Sequence, residues 1–235
     1  MFTYVKADSI GRGVELSIIA LEKYGIFQQR ENQSNEDCCK EIQLCLDVEN
    51  PYTNQTALAE FVSKSVPCSL EQLLKYDDEF MFGTADDAGW KYTYHALFAP
   101  YYDKVIDEFE RNPNTRRACI ALGQGDINFT EDPPCLQLMM FNVINGKLDM
   151  TVVFRSNDAI KAFPMNIHAI SMLHMKITTE LGFGYGDLHY IANNFHAYSK
   201  DFKIMSQYVN NFIGKPPERR FWSWEELIKC AEEKL

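Results

Sequence analysis

Apolar and polar positions follow two rhythms along this chain. Residues 10–26, IGRGVELSIIALEKYGI, space their apolar side chains as a helix does, and Gly25 closes the run. Residues 41–48, EIQLCLDV, alternate strictly, the mark of a half-buried strand. The pattern predicts a helix over 69–76 and a firmer one from about Ala99 to Arg111. There Tyr102, Val105, Ile106 and Phe109 share a face, and Asn112-Pro113 stops the run. Strands follow at 117–122, 136–144 and 148–154, the last two joined by the hairpin signal Asn145-Gly146. A long apolar helix spans about 166–180 and a strand covers 187–193. The rest mixes helix and loop, with Ser223 placed to cap a helix that either covers a site or simply packs. Elements in this order predict an α+β fold, a large mixed or antiparallel sheet backed by helices. No repeat, low-complexity tract or linker divides the sequence, so residues 1–235 are expected to form one domain.

Composition narrows the partners. Of the 235 residues, 46% are apolar and 24% charged, ordinary globular usage. The 23 lysines and arginines face 33 acidic residues for a net charge of −10, which argues against a general grip on nucleic acid or an anionic membrane. A small anion held by a few arginines fits that balance. The opening MFTYVKADSIGRG lacks the apolar core of a signal peptide, and no run of roughly 18 apolar residues occurs, so a cytoplasmic protein is expected. The seven cysteines (38, 39, 45, 68, 119, 135 and 230) lack CxxC spacing and indicate neither a disulfide framework nor a zinc ribbon. Without a secretory route, the sequons at Asn32, Asn54 and Asn128 carry little meaning. No HExxH occurs among the five histidines, and no metal is expected. Residues 182–186, GFGYG, precede a strand and do not open a helix, so they read as a turn.

Pro133-Pro134-Cys135 sets a cysteine at the head of an apolar strand, just after INFTED. Alone, such a cysteine reads as a small buried hydrophobe. Its company changes the reading: Asn114-Thr115-Arg116-Arg117 upstream, then Arg155-Ser156-Asn157-Asp158, Pro164-Met165-Asn166, Gly186-Asp187 and His196-Ala197-Tyr198. Across residues 108–202 these blocks resemble the D/N-x-R-R, P-C, R-S-x-D, P-x-N and H-x-Y blocks of the thymidylate synthase superfamily, which includes the deoxycytidylate hydroxymethylases.

The resemblance implies a thymidylate synthase-like fold, a sheet-mediated homodimer, and folate-dependent transfer of a one-carbon unit to C5 of a pyrimidine nucleoside monophosphate, dUMP favoured. Cys135 matches the nucleophile that adds to C6, a role that needs thiolate character. Arg155 and Ser156 match a phosphate clamp, for which a planar guanidinium fork is suited. Arg116 and Arg117 match a pair supplied by the other subunit, so that the phosphate site is shared across the dimer; read alone they are a solvated basic pair beside a turn. Asp158 and Asn166 match residues lining the base, and an amide at 166 suits uracil where the hydroxymethylases carry aspartate. His196 and Tyr198 match a pair bonding the sugar 3′-hydroxyl. Trp90, with Tyr92 and Tyr94, is a candidate wall for the co-substrate 5,10-methylenetetrahydrofolate, though such clusters are as often plain core.

Several positions depart from the standard synthase: Leu136 follows the nucleophile in place of histidine, Phe154 replaces glutamine and Ala162 replaces glycine. With the opening helix, polar turn and strand, these lean the sequence toward hydroxymethylation over methylation. The family's general acid/base glutamate sits in a stretch reading roughly H-E-L-L-W-F. Anchoring on Leu73-Leu74 puts Gln72 there, so either Glu71 or Glu60 substitutes, or turnover is lost. Two alternatives follow: an inactive nucleotide-binding homologue, or a hydroxymethylase acting on dCMP or CMP.

Overall fold

The computed structural model describes residues 2–29, 38–49, 51, 58–64, 69–83, 92–123, 133–212 and 214–233. Its framework is a mixed sheet. The strands are β1 (Phe2–Ala7), β2 (Ile26–Gln29), β3 (Cys38–Val48), β4 (Leu58–Ser63), β5 (Cys119–Ala121), β6 (Leu136–Ile144), β7 (Lys147–Phe154), β8 (Asn157–Asp158), β9 (Gly184–Tyr198) and β10 (Phe221–Ser223). The main order is β1-β3-β9-β7-β6-β5, with β2 beside β3 and β8 beside β9, while β10 and β4 pair separately. Parallel pairs (β1/β3, β7/β9, β8/β9) sit among antiparallel ones, so the sheet is mixed as expected. The helices are α1 (Ile10–Tyr24), α2 (Leu70–Phe82), α3 (Tyr94–Arg111), α4 (Phe163–Leu181), α5 (Phe202–Phe212), α6 (Pro217–Arg220) and α7 (Trp224–Glu232).

Alternation along the strands decides which face the helices cover. Leu44, Leu46 and Val48 of β3, Met150, Val152 and Phe154 of β7, and Leu188, Tyr190 and Ala192 of β9 are fully buried against Ile10, Ile18 and Leu21 of α1 and Ile167, Ile170 and Ile177 of α4. The intervening Cys45, Thr151, Val153 and Ile191 point the other way and stay half-buried. The hairpin signal behaves as its chemistry requires, with Asn145 at φ 52° and Gly146 at φ 76°. At Gly186 the constraint is space: a Cβ would lie 2.1 Å from Asp149 Oδ1 and 2.4 Å from the Leu148 carbonyl. A side chain there would push β9 off β7.

Several elements differ from the pattern-based expectation. α2 continues to Phe82 and not Tyr76, because the acidic run Asp77-Asp78-Glu79 is accommodated: Asp77 is buried against His168 of α4, Nδ1 to Oδ2 at 2.7 Å. α3 starts at Tyr94, ahead of the predicted start at about Ala99, with Thr93 as its cap, and carries Pro100 inside. β9 runs to Tyr198 and so carries His196 within a strand, and β1, β2, β4, β8 and β10 carried too little periodic signal to be predicted. A capping box links Ser223 and Glu226 at the head of α7, with Glu226 N donating to Ser223 Oγ at 3.1 Å and Ser223 N donating to Glu226 Oε2 at 2.8 Å. There Trp222 and Leu227 pack with Leu70, Leu73 and Met165, so this segment packs behind α2 and α4. No helix among the described residues is long and apolar enough to cross a membrane.

Candidate active site

One end of the sheet gathers the sequence blocks. Cys135 immediately precedes β6, Arg155 and Ser156 immediately follow β7, and His196 and Tyr198 close β9. Antiparallel pairing of β6 with β7 and parallel pairing of β7 with β9 put all three at the same end. The N-terminal turn of α4 adds Met165 and Asn166, and α2 adds Tyr76 and Glu79. Together with Tyr92, Tyr94, Asn157, Asp158 and Lys161 these residues line a cavity of about 610 Å³.

Beneath it lies a rigid aromatic floor. Phe154 stacks on Tyr190 at 4.8 Å, Phe163 meets Tyr190 edge-on at 5.1 Å, and Tyr94 meets Phe154 edge-on at 6.4 Å. Burial pushes the phenols of Tyr76 and Tyr94 well up, with negative charge at Cys135 adding to both, so these hydroxyls stay protonated donors beside the sulfur. Tyr94 also accepts a hydrogen bond from Leu136 N–H at 3.3 Å, which ties it to the residue after the cysteine.

Cys135 is half-buried, and its loop is held by Arg155. The Arg155 backbone N–H donates to the Cys135 carbonyl at 2.9 Å. Its guanidinium donates through Nε to the Pro133 and Pro134 carbonyls, 3.2 Å each, and through Nη2 to Pro133 at 2.5 Å. Asp158 caps the turn into α4, Oδ1 accepting from Ile160 N at 2.8 Å and Lys161 N at 3.0 Å, while it also faces the cavity. Asn166 is buried, and its Oδ1 accepts from the Tyr76 hydroxyl. His196 is buried and its ring meets Tyr198 edge-on at 4.9 Å. Asn157, the member of the Arg155–Asp158 block to which no role was assigned, is 3% exposed, and among the described residues its Oδ1 has no partner. A buried acceptor on a cavity wall is otherwise costly, so this one suits a donor arriving with a ligand.

Helix phase decides which acidic side chains of α2 reach the cavity. Leu70, Leu73, Asp77 and Phe80 form the buried stripe of α2. Tyr76 and Glu79 flank that stripe on the cavity side. Glu71 is exposed in the first turn, about 12 Å back along the axis from Glu79, and does not line the cavity. Gln72 is the partner in a capping box: Ser69 N donates to its Oε1 at 2.9 Å and Gln72 N donates to Ser69 Oγ at 3.1 Å. Burial raises the Glu79 carboxyl above its usual range, opposed by Lys75, as a proton-transferring carboxyl requires. Its cue was the i, i+3 spacing from Tyr76, visible only once α2 is extended past the acidic run.

Three expected participants stand apart. Arg116 and Arg117 are exposed in the segment before β5, where Thr115 accepts from Arg117 N at 3.1 Å, and they do not line this chain's cavity. Trp90, Cys68, the three sequons and the INFTED loop lie outside the described residues, as does the side chain of Glu60. Among the described residues, no group of three or more His, Cys, Asp or Glu side chains is arranged to hold a metal ion.

Residues 90–223, which include every cavity-lining residue above except Tyr76 and Glu79 of α2, match the family described as thymidylate synthase. The chain belongs to the thymidylate synthase family. Its relatives include proteins named "Putative thymidylate synthase". The first, from Methanocaldococcus jannaschii, is 29% identical over 188 residues, covering 74% of this chain and 82% of the relative. The second, from Methanosarcina barkeri, is 25% identical over 210 residues, covering 86% of this chain and 91% of the relative. Membership gives the blocks around the cavity a common chemistry, one-carbon transfer to a pyrimidine.

Proposed function

We propose that this thymidylate synthase family member transfers a one-carbon unit to C5 of a pyrimidine nucleoside monophosphate, dUMP favoured, through covalent addition of Cys135 to C6. The observation that carries the reading is convergence: Cys135, Arg155, Asn166, His196 and Tyr198, spread over three strands and a helix, meet in one cavity together with Glu79. In this scheme the Cys135 thiolate forms a C–S bond at C6, and the C5–C6 π pair moves toward O4 as an enolate, making C5 nucleophilic. Once C5 has bonded the one-carbon unit and the carrier nitrogen departs with its electron pair, Glu79 accepts the C5 proton, as a raised carboxyl in the cavity wall is suited to do. Final expulsion of the Cys135 thiolate restores the C5–C6 double bond.

The co-substrate, 5,10-methylenetetrahydrofolate, supplies the electrophilic carbon; hydride then yields a methyl product and water a hydroxymethyl product. The residues present fit such a molecule, because Tyr92 and Met165 offer flat apolar surface and Lys161 a cation for an acidic tail. Water access to the reacting carbon selects the product, and the substitutions at Leu136, Phe154 and Ala162 lean toward hydroxymethylation. Arg155 and Ser156 hold the phosphate, Asn166 reads the base, Asp158 lines it, and His196 with Tyr198 takes the sugar hydroxyl.

Arg116 and Arg117 complete the phosphate site from a second subunit. Support comes from their exposure outside their own chain's cavity and from the apolar side chains left open on the sheet, Phe2, Tyr4, Met140 and Ile144 at 37% exposure or more. The deciding experiment is tritium release from [5-³H]-dUMP with methylenetetrahydrofolate, followed by mass spectrometry of the product, with C135A as control. Release dependent on Cys135 supports the enzyme, and the product mass separates methyl from hydroxymethyl. Binding without release from dUMP, dCMP or their ribonucleotides supports the inactive homologue instead, and release from a cytidylate alone supports the hydroxymethylase alternative.

A further inference from the structure

An amide side chain is nearly symmetric in shape and opposite in chemistry at its two ends: turning it over exchanges an acceptor for a donor. The base edges it could read are opposite in the same sense. Uracil offers N3–H as donor and O4 as acceptor, whereas cytosine offers N3 as acceptor and N4–H as donor. An amide free to turn over pairs with either base, and an amide held one way round pairs with only one.

In this protein Asn166 is held. Its Oδ1 accepts from the Tyr76 hydroxyl, which comes from α2. Tyr76 is fixed in turn by its ring, tilted on Phe80 at 6.4 Å. The second lone pair of Oδ1 and an N–H of the amide remain for a base in the cavity.

We infer that Tyr76 is a positioning residue for base selection: by donating to Asn166 Oδ1 it holds the amide in one orientation, so that the site accepts one of the two pyrimidine edges and rejects the other. The inference rests on the reading of Asn166 as the base reader. A fixed amide facing the wrong base leaves buried donors and acceptors unpaired, which is how a polar site discriminates. Burial keeps the Tyr76 phenol protonated, so it donates across the physiological range.

The test measures binding and needs no turnover. dUMP and dCMP are titrated calorimetrically against wild type, Y76F, N166D and the double variant Y76F/N166D, with Y76M as a second donor-free variant should Y76F not fold. Y76F is expected to move the dUMP-to-dCMP affinity ratio about tenfold toward unity, one nucleotide weakening and the other tightening, since the loss is one buried hydrogen bond that selects an orientation. In the N166D background the two carboxylate oxygens are equivalent, so removing the same hydroxyl is expected to leave the ratio unchanged. A hydroxyl loss that weakens both nucleotides equally, or shifts the ratio alike in both backgrounds, overturns the inference while dUMP binding by wild type leaves the proposed function standing. A wild type preferring dCMP whose preference collapses in Y76F upholds the orientation lock and corrects the base. Wild type binding neither nucleotide overturns both readings.

Discussion

Cys135, Arg155, His196 and Tyr198 reach the cavity from the ends of strands, whereas Tyr76, Glu79 and Asn166 reach it from helices. The strand-borne groups sit on a sheet whose register fixes them relative to one another. The helix-borne groups depend on how α2 docks on α4, through the buried Asp77–His168 contact at 2.7 Å and the Leu70–Leu73 patch. In the proposed reaction, strands therefore supply the covalent and anion-holding groups, and helices supply the proton-handling and base-reading ones. Disturbing each half should damage a different step.

The largest expected effect is on the strand side. C135A should reduce tritium release by at least about a thousandfold, because removal of a nucleophile disables the whole constellation. Dissociation constants for dUMP, measured alongside, should change little. On the helix side E79Q should lower kcat by about a hundredfold or more while E71Q leaves it near wild type, a contrast read in parallel steady-state assays. Loss of activity in E71Q alone would put the carboxyl back in the first turn of α2.

Glu79 also predicts a pH signature with a definite sign. Its folded-state pKa is raised by burial, so folding favours the protonated carboxyl, and that contribution is lost as pH rises through the folded pKa. E79Q should accordingly melt slightly above wild type at neutral pH while losing turnover. The same variant should remove the acidic limb of the kcat/KM profile. His174 provides a control far from the chemistry. It is buried, donates from Nε2 to the Leu148 carbonyl at 2.7 Å, and has its pKa pushed down to about 4 by burial. The neutral ring is favoured by folding, so its stability contribution is complete above about pH 6.5 and drains away as pH falls toward 4, by up to about 3 kcal/mol, in thermal melts.

These contrasts explain what could be read from the sequence. The strand half was legible because each block is short and contiguous: Pro-Cys, Arg-Ser-x-Asp and His-x-Tyr carry their meaning within four residues, and the sheet brings them together without further instruction. The Glu79 position was not legible, because the acidic run from Asp77 looks like a solvated helix end. Only a histidine 91 positions later, His168, makes Asp77 a core residue. Helix α3 likewise starts earlier than its apolar spacing shows, at Tyr94, with Pro100 tolerated in its interior. The short strands β1 and β10 depend on partners far along the chain. Arg116 and Arg117 remain a statement about a second subunit. Mixing C135A with an R116A/R117A variant should restore part of the activity that each lacks, and failure to complement would confine those arginines to the surface.

The smallest effect sharpens the comparison from the structural side. Q72A should cost about 1 kcal/mol or less in denaturant unfolding by removing one arm of the Ser69 capping box, with kcat unchanged.

Arg155 joins two tasks that enzymes often keep apart. The guanidinium that faces the cavity also grips the carbonyls of Pro133 and Pro134, the residues leading into Cys135. Substitution at Arg155 therefore disturbs the segment that carries the cysteine together with any anion the guanidinium holds, whereas Lys161, Ala162 and Met165 line the same cavity from the turn into α4.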